Sequence, residues 1–144
     1  GTLNVPGIVG FAKAVEIAID EMEFENKKYK KWTNLMLEKF STAGGKLNGH
    51  LTNRLTHNLN IRFDGVQSKS IINTVSKKLA ISAGSACTSD LVEPSHVLLA
   101  LGLSENQAHN SIRIGCNRFN TDEEIDFAIN EILNALESIA KIRI

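Results

Sequence analysis

The strongest constraint in the sequence is an apolar pattern with helical spacing that extends from Ile8 to Phe40. A single helix over this range is about 50 Å long, whereas a compact domain of this size is less than about 40 Å across. Either the helix breaks near Asn26, or its N-terminal half packs on a structure outside this chain. We favour the second interpretation, because the apolar stripe from Ile8 to Ile19 has no obvious partner nearby in the sequence.

Downstream of Gly44–Gly45, which is expected to end this helix, short strands alternate with short helices. Strands are predicted at residues 46–48, around Leu55, Leu59, Ile61 and Phe63, at 79–83 and at 111–115. Helices are predicted after Ser68 as N-cap, over 96–101, after a capping box of Ser104 with Gln107, and after a second one of Thr121 with Glu124. This order predicts an α/β fold with an α+β small domain, in which a small sheet is covered by helices and preceded by a long helix.

Composition and charge narrow the classes of protein to which the chain can belong. The 16 Lys and Arg residues balance the 16 Asp and Glu residues, which argues against binding to nucleic acid or to a membrane surface by bulk electrostatics. The longest apolar run, Val97 to Leu103, is too short to cross a bilayer. Two cysteines without a CxxC spacing favour a reducing compartment. We therefore expect no direct nucleic-acid contact, no membrane, and a cytoplasmic location, or an organellar one in a eukaryote.

Cys87 and Arg113 are the two residues most suited to chemistry. Cys87 follows a predicted strand in a run of small polar residues, which can expose a thiol; a reactive thiol and an inert loop cysteine are equally compatible with this pattern. Arg113 stands between two isoleucines of a predicted strand, so its guanidinium leaves on the opposite face and can grip a carboxylate or phosphate with two parallel bonds. From the residues alone, the favoured interpretation is that Arg113 lies in an edge strand and faces water.

The remaining candidates favour structural roles. Arg118 is expected to be a surface or structural arginine, and Cys116 a small buried residue. The histidines have no metal-ligand spacing with one another or with the cysteines; they are His50, His57, His96 and His109. Neither a glycine-rich phosphate loop nor a Ser-His-Asp signature is present.

Taken together, several segments resemble the cysteine desulfurases, which are pyridoxal-phosphate enzymes of the class V aminotransferase fold. The matching segments, in family order, are Ser82–Ser89, Glu93–Leu98, Ala100–Gly102, His109–Arg113, Arg118–Asp126 and, upstream, Leu55–Ile61. The resemblance covers essentially the whole chain. The long stretch between Cys87 and Pro94 looks like the group I branch of the family.

This resemblance implies roles for individual residues. Cys87 would attack the sulfur of a substrate L-cysteine joined to pyridoxal phosphate, leaving alanine and a persulfide on Cys87. Arg113 would hold the substrate carboxylate. Thr2 matches the family threonine that reaches the cofactor phosphate of the neighbouring subunit in a homodimer; a disordered terminal residue is the alternative.

The family also implies partners and a division of the chain. The persulfide sulfur would pass to acceptor proteins for iron–sulfur cluster assembly and tRNA thiolation, and Cys87 would be a transient ligand of a 2Fe-2S cluster built on a scaffold protein. The lysine that carries the cofactor belongs to the family's larger preceding domain, and no lysine stands here in the matching context. Residues 1–23 are thus expected to be the trailing segment and helix of that large domain, and residues 24–144 the small domain with the active-site cysteine loop.

Alone, this chain is expected to be inactive. Two other functions stay open at this point. One is a non-enzymatic sulfur carrier or partner-docking module, and the other is a related pyridoxal-phosphate lyase that eliminates sulfur or selenium from other amino acids.

Overall fold

The computed structural model of the chain describes residues 1–83 and 93–142. Its elements, in chain order, are α1 (Val5–Thr42), β1 (Gly45–Leu47), β2 (Asn58–Phe63), α2 (Ser68–Val75), β3 (Ser82–Ala83), α3 (His96–Ala100), α4 (Glu105–His109), β4 (Ser111–Gly115) and α5 (Asp122–Ile142). Within these residues, no helix combines the length and the apolar character that crossing a bilayer requires. The predicted fold class, a small sheet covered by helices and preceded by a long helix, is confirmed.

The sheet separates an apolar face from a polar one. Its 4 strands are antiparallel and lie in the order β1–β2–β4–β3. Because successive side chains of a strand point to opposite faces, the alternating apolar residues of β2 and β4 share one face, and they are Leu59, Ile61, Phe63, Ile112 and Ile114, all buried. The second half of α1, with α2 and α5, packs on this face and closes the core. The polar residues of the same strands lie on the opposite face.

Helix α1 is continuous over 38 residues, so it does not break near Asn26. Its second half belongs to the core: Trp32 is 1% exposed, and Met36 and Phe40 are fully buried. Between Leu3, just before the helix, and Phe24, the large apolar side chains are 41–74% exposed, except for Ile17, which is half-buried. The apolar stripe of the first half therefore has no partner among the described residues.

The glycines that follow α1 set the turn from this helix into the sheet. Gly44 has a φ of +84°, the left-handed conformation in which glycine carries no steric cost. A Cβ on Gly45 would lie 2.8 Å from the Phe40 carbonyl oxygen and 2.9 Å from the side chains of Ile61 and Phe63. This close approach brings β1 against the end of α1.

Two predicted strand boundaries are wrong because local turns occupy part of the predicted ranges. Leu55 is 65% exposed and precedes β2; its carbonyl accepts a turn hydrogen bond from the Asn58 N–H. The segment predicted at 79–83 pairs only at Ser82–Ala83 within the described residues. The Leu79 N–H instead donates to the Val75 carbonyl at 2.9 Å, in the turn that ends α2.

Other boundaries shift by a residue. β1 covers Gly45–Leu47 rather than 46–48. The N-cap of α2 is Gln67, whose backbone is extended, and Ser68 is the first helical residue, with no side-chain cap bond at this end. Both predicted capping boxes are confirmed, since each pair exchanges two hydrogen bonds; the pairs are Ser104 with Gln107 and Thr121 with Glu124.

Candidate active site

Arg113 lies on the polar face of the sheet, in the middle of β4. Its Cα partners are Asn60 of β2 on one side and Ser82 of β3 on the other, so β4 is an inner strand and the edge-strand interpretation is wrong. Directly opposed residues of an antiparallel pair place their side chains on the same face. Arg113 therefore shares the face away from the core helices with Asn60 and Ser82. Its side chain is exposed there.

The Arg113 guanidinium has no hydrogen bond or ion pair with any other described residue. Each of the other strand arginines and lysines is tethered: Arg62 and Lys46 both contact Asp64, at 3.3 Å and 2.6 Å. A guanidinium offers a planar fork of donors that matches a carboxylate or a phosphate. Arg113 thus presents an anion-binding group from a rigid strand.

A hydrogen-bonded network stiffens the polar face beside Arg113. The buried Asn48 amide is at its centre: its Nδ2 donates to Asn60 Oδ1 at 2.7 Å and to Ser111 Oγ at 2.8 Å. Its Oδ1 accepts from Arg62 at 2.7 Å, and Ser111 Oγ donates to the Gln107 carbonyl at 2.7 Å. The network ties the residue that follows β1 to β2, β4 and α4. Sequence analysis missed it, because asparagines near strand ends are also typical of turns.

The predicted nucleophile, Cys87, falls in 84–92, outside the described residues. The chain enters that segment from Ala83, which pairs with Ile112, next to Arg113.

Thr2 is exposed and precedes α1. The stretch of α1 between Val5 and Tyr29, its first core residue, is roughly 35 Å long. Arg113 lies in β4, and among the described residues no hydrogen bond or ion pair joins Thr2 to it.

Cys116 is 7% exposed and unpaired by any disulfide. Burial raises the pKa of its thiol, which disfavours the nucleophilic thiolate. Cys116 is therefore a buried structural residue, as predicted.

Arg118 anchors the loop between β4 and α5 to the middle of α1. Its Nε lies 2.8 Å from Glu25 Oε1 and its Nη1 3.0 Å from Glu21 Oε2. Lys28 of α1 donates to the carbonyls of Arg118 and Asn120, at 3.1 and 2.9 Å. These contacts make Arg118 a structural residue, as expected.

An open cleft of about 350 Å³ lies over this anchor. Two exposed rings, Phe24 and Phe119, lie on it beside the ion-paired side chains. Both acidic groups of the cleft are paired with Arg118, and Lys28, which also lines it, donates to backbone carbonyls.

The described residues contain no group of three or more His, Cys, Asp or Glu side chains placed to hold a metal ion. Two of the histidines have clear local roles. His50 Nδ1 accepts from the N–H groups of Thr52 and Asn53 in a turn. The ring of His57 packs edge-on against Tyr29, with centroids 5.9 Å apart.

Comparison with known proteins identifies relatives along nearly the whole chain. Residues 1–127 match the Aminotransferase class-V family. The chain is 43% identical over 146 aligned positions to a protein named cysteine desulfurase IscS from Rickettsia typhi, covering 99% of this chain and 35% of that protein. The same identity and coverage hold for its namesake from Rickettsia prowazekii. The chain thus spans about a third of the length of these relatives.

Solved structures of NifS-like proteins are also similar to this chain. A structure named NifS-like protein superposes with a TM-score of 0.82 at 30% identity, covering 95% of this chain and 35% of that one. A NifS-like protein from Rickettsia africae superposes with a TM-score of 0.80 at 24% identity, over 95% of this chain and 36% of that one, a likeness that concerns the fold alone.

Proposed function

Because this chain belongs to the class-V aminotransferase family, we propose that the whole protein is a cysteine desulfurase that removes sulfur from L-cysteine and leaves L-alanine. Its identity to proteins of that name supports this proposal. One structural observation carries it: Ser82 of β3 pairs with Arg113, so the strand that leads towards Cys87 lies directly beside an untethered guanidinium.

The division of labour between these two residues follows from their chemistry. Arg113 binds the substrate carboxylate with two parallel hydrogen bonds and so fixes one end of the amino acid. The Cys87 thiolate attacks the substrate sulfur. A sulfur–sulfur bond forms, the bond from sulfur to the substrate's β-carbon breaks, and a proton replaces sulfur on that carbon to give alanine. Cys87 then carries a persulfide.

Pyridoxal phosphate is the cofactor that this family implies. When bound, it withdraws electrons from the substrate and makes cleavage of the carbon–sulfur bond feasible. The described residues fit the margin of such a site: an exposed hydroxyl at Thr2 suits a phosphate, and the untethered Arg113 suits the carboxylate of an amino acid. The group that would hold the cofactor covalently is proposed to lie in a part of the protein outside this chain.

The separation of Thr2 from Arg113 favours a site shared between two subunits. A stretch of α1 roughly 35 Å long lies between Thr2 and the core, which is too far for one amino acid and its cofactor to bridge. We infer a homodimer in which Thr2 serves the phosphate of the neighbouring subunit's site.

The exposed first half of α1 supports the proposed division at residue 23. Its apolar side chains, such as Ile8 and Phe11, are 55% and 73% exposed, and a contiguous apolar face of this kind marks an interaction surface. We propose that residues 1–23 pack on a large cofactor-binding domain, whereas residues 24–144 form the small domain.

The persulfide on Cys87 is proposed to pass to acceptor proteins, for iron–sulfur cluster assembly and tRNA thiolation. In cluster assembly the 2Fe-2S cluster is cargo, and Cys87 touches it only as the sulfur is delivered. The neutral net charge of the chain is consistent with tRNA being served through an acceptor protein rather than bound directly.

The proposal is tested by mass spectrometry of the whole protein loaded with pyridoxal phosphate. After incubation with L-cysteine, we expect one extra sulfur atom on Cys87 and stoichiometric alanine. Cys87→Ala should abolish both sulfur transfer and the added mass. Cys116→Ala is the matched control, since its thiol is buried, and it should retain transfer.

The same measurement distinguishes the enzyme from a sulfur carrier. A persulfide that forms on Cys87 from a persulfide donor, while L-cysteine with pyridoxal phosphate gives none, would assign the protein as a carrier. Alanine release without a Cys87 persulfide would instead indicate a related lyase.

A further inference from the structure

Asn60 is the closest polar neighbour of Arg113 across β2 and β4. The two residues are direct Cα partners in the antiparallel ladder, which places their side chains on the same face about 5 Å apart at Cβ. Asn60 is half-buried, whereas Arg113 is exposed. Any carboxylate bound by Arg113 on this face therefore lies within reach of the Asn60 amide.

The direction of the Asn60 amide follows from a chain of donors and acceptors. Arg62 can only donate, so the group it contacts at 2.7 Å must be the Asn48 oxygen. The Asn48 Nδ2 then donates to Asn60, which must present its Oδ1, at 2.7 Å. The Nδ2 of Asn60 lies on the other side of that amide, and it makes no hydrogen bond with the described residues.

We propose that Asn60 is a second carboxylate-binding residue, whose Nδ2 donates to the substrate carboxylate held by Arg113. Arg62 and Asn48 are positioning residues that keep the Asn60 amide in this donor orientation. A carboxylate has about four lone-pair sites and a guanidinium fork uses two of them, so the group can accept from both residues. The inference rests on the proposed function and deepens it, since it makes this face specific for an amino acid with a free carboxylate.

The test measures ligand binding by calorimetry in the whole protein loaded with pyridoxal phosphate. Its probes are L-alanine and L-alaninamide, which differ only in the carboxylate. Asn60→Asp keeps the Oδ1 acceptor for Asn48 but replaces the donor by a negative oxygen. We expect the Kd of L-alanine to rise at least about 10-fold, the effect of losing one hydrogen bond to a charged group, and the Kd of L-alaninamide to change little.

Asn60→Ala should raise the Kd of L-alanine about 10-fold as well, because it removes the same donor. Asn58→Ala is the matched control: Asn58 is two positions along the same face of β2, but opposite Gly115 rather than Arg113. It should leave the preference for L-alanine over L-alaninamide unchanged. Circular dichroism of each variant checks that the fold is retained.

Each outcome is decisive. If Arg113→Ala weakens L-alanine binding while Asn60→Asp and Asn60→Ala leave it unchanged, the role of Asn60 is overturned and the proposed function stands. If Asn60→Asp weakens both probes equally, Asn60 is structural and the inference again fails. If Arg113→Ala leaves L-alanine binding unchanged, the site itself is misassigned.

Discussion

Trp32 and Phe11 occupy the same helix and both belong to an apolar stripe, yet Trp32 is 1% exposed and Phe11 is 73% exposed. The second half of α1 packs on β1, β2 and α5 and forms part of the core. Polar contacts reinforce it, since Trp32 Nε1 donates to Asp122 Oδ1 at the start of α5. The exposed apolar side chains of the first half have no partner among the described residues. Apolar periodicity therefore identifies the face that a helix buries, but not the partner that buries it.

The largest expected effect on the free energy of unfolding comes from a substitution in the buried half of α1. Trp32→Ala should lower the free energy of unfolding of this chain by about 3–5 kcal/mol, because it leaves a cavity in the core and removes the donor to Asp122 Oδ1. Urea unfolding followed by far-UV circular dichroism measures this, since Trp32 is the single tryptophan and fluorescence is lost with it. Trp32→Phe, which keeps most of the apolar volume, should cost much less. A change below about 1 kcal/mol for Trp32→Ala would contradict this account of the core.

The effect of Phe11→Ala on stability should depend on whether the rest of the protein is present. In this chain alone, we expect a change within about 0.5 kcal/mol, because the ring is exposed. In the whole protein, burial against the proposed large domain should raise the cost to about 2–4 kcal/mol. Equal small effects in both proteins would show that the first half of α1 stays exposed.

The smallest expected effect is the pH dependence of stability that arises from Asp122, which accepts a hydrogen bond from Trp32 in the buried half of α1. Hydrogen bonds from Lys31 and from Trp32 lower the pKa of Asp122 below its ordinary value of 3.8. A carboxylate with a lowered pKa stabilises the folded state fully above its unfolded pKa, and this contribution is lost as pH falls through the lower folded pKa. Stability should therefore decline in acid below about pH 4.

Asp122→Asn provides the control for that dependence. The amide keeps the shape and an acceptor for Trp32 but has no charge for Lys31, which lies 2.7 Å from the carboxylate. In urea unfolding at several pH values, this part of the acid dependence should disappear. An unchanged acid profile in the variant would show that other carboxylates account for it.

The sequence predicts most of the secondary structure because periodicity and caps are local signals. The capping box of Thr121 with Glu124 and the alternation of Leu59 with Ile61 both mark elements that the structure contains. The same alternation predicts that Leu55 lies in a strand, but the turn before β2 overrides that pattern. Periodicity does not report where pairing with another strand begins.

The candidate site is less predictable, because it depends on which strands are neighbours. From the residues alone, Arg113 is predicted to lie in an edge strand. The structure places β3 beside β4, so that β4 is an inner strand. Asn60 has no signal of its own in the sequence, and its importance emerges only from its pairing with Arg113 and from its contact with Asn48. The residue pattern singles out Arg113 and Cys87 and the family resemblance implies their roles, whereas the network beside Arg113 requires the structure.

Hydrogen exchange along α1 tests most directly the claim that this chain is the small domain plus an interface helix. Amides of residues 29–40 should be protected both in this chain and in the whole protein, because that half is packed in the core. Amides of residues 8–22 should exchange quickly in this chain and become protected in the whole protein. Rapid exchange of residues 8–22 in the whole protein would contradict the claim.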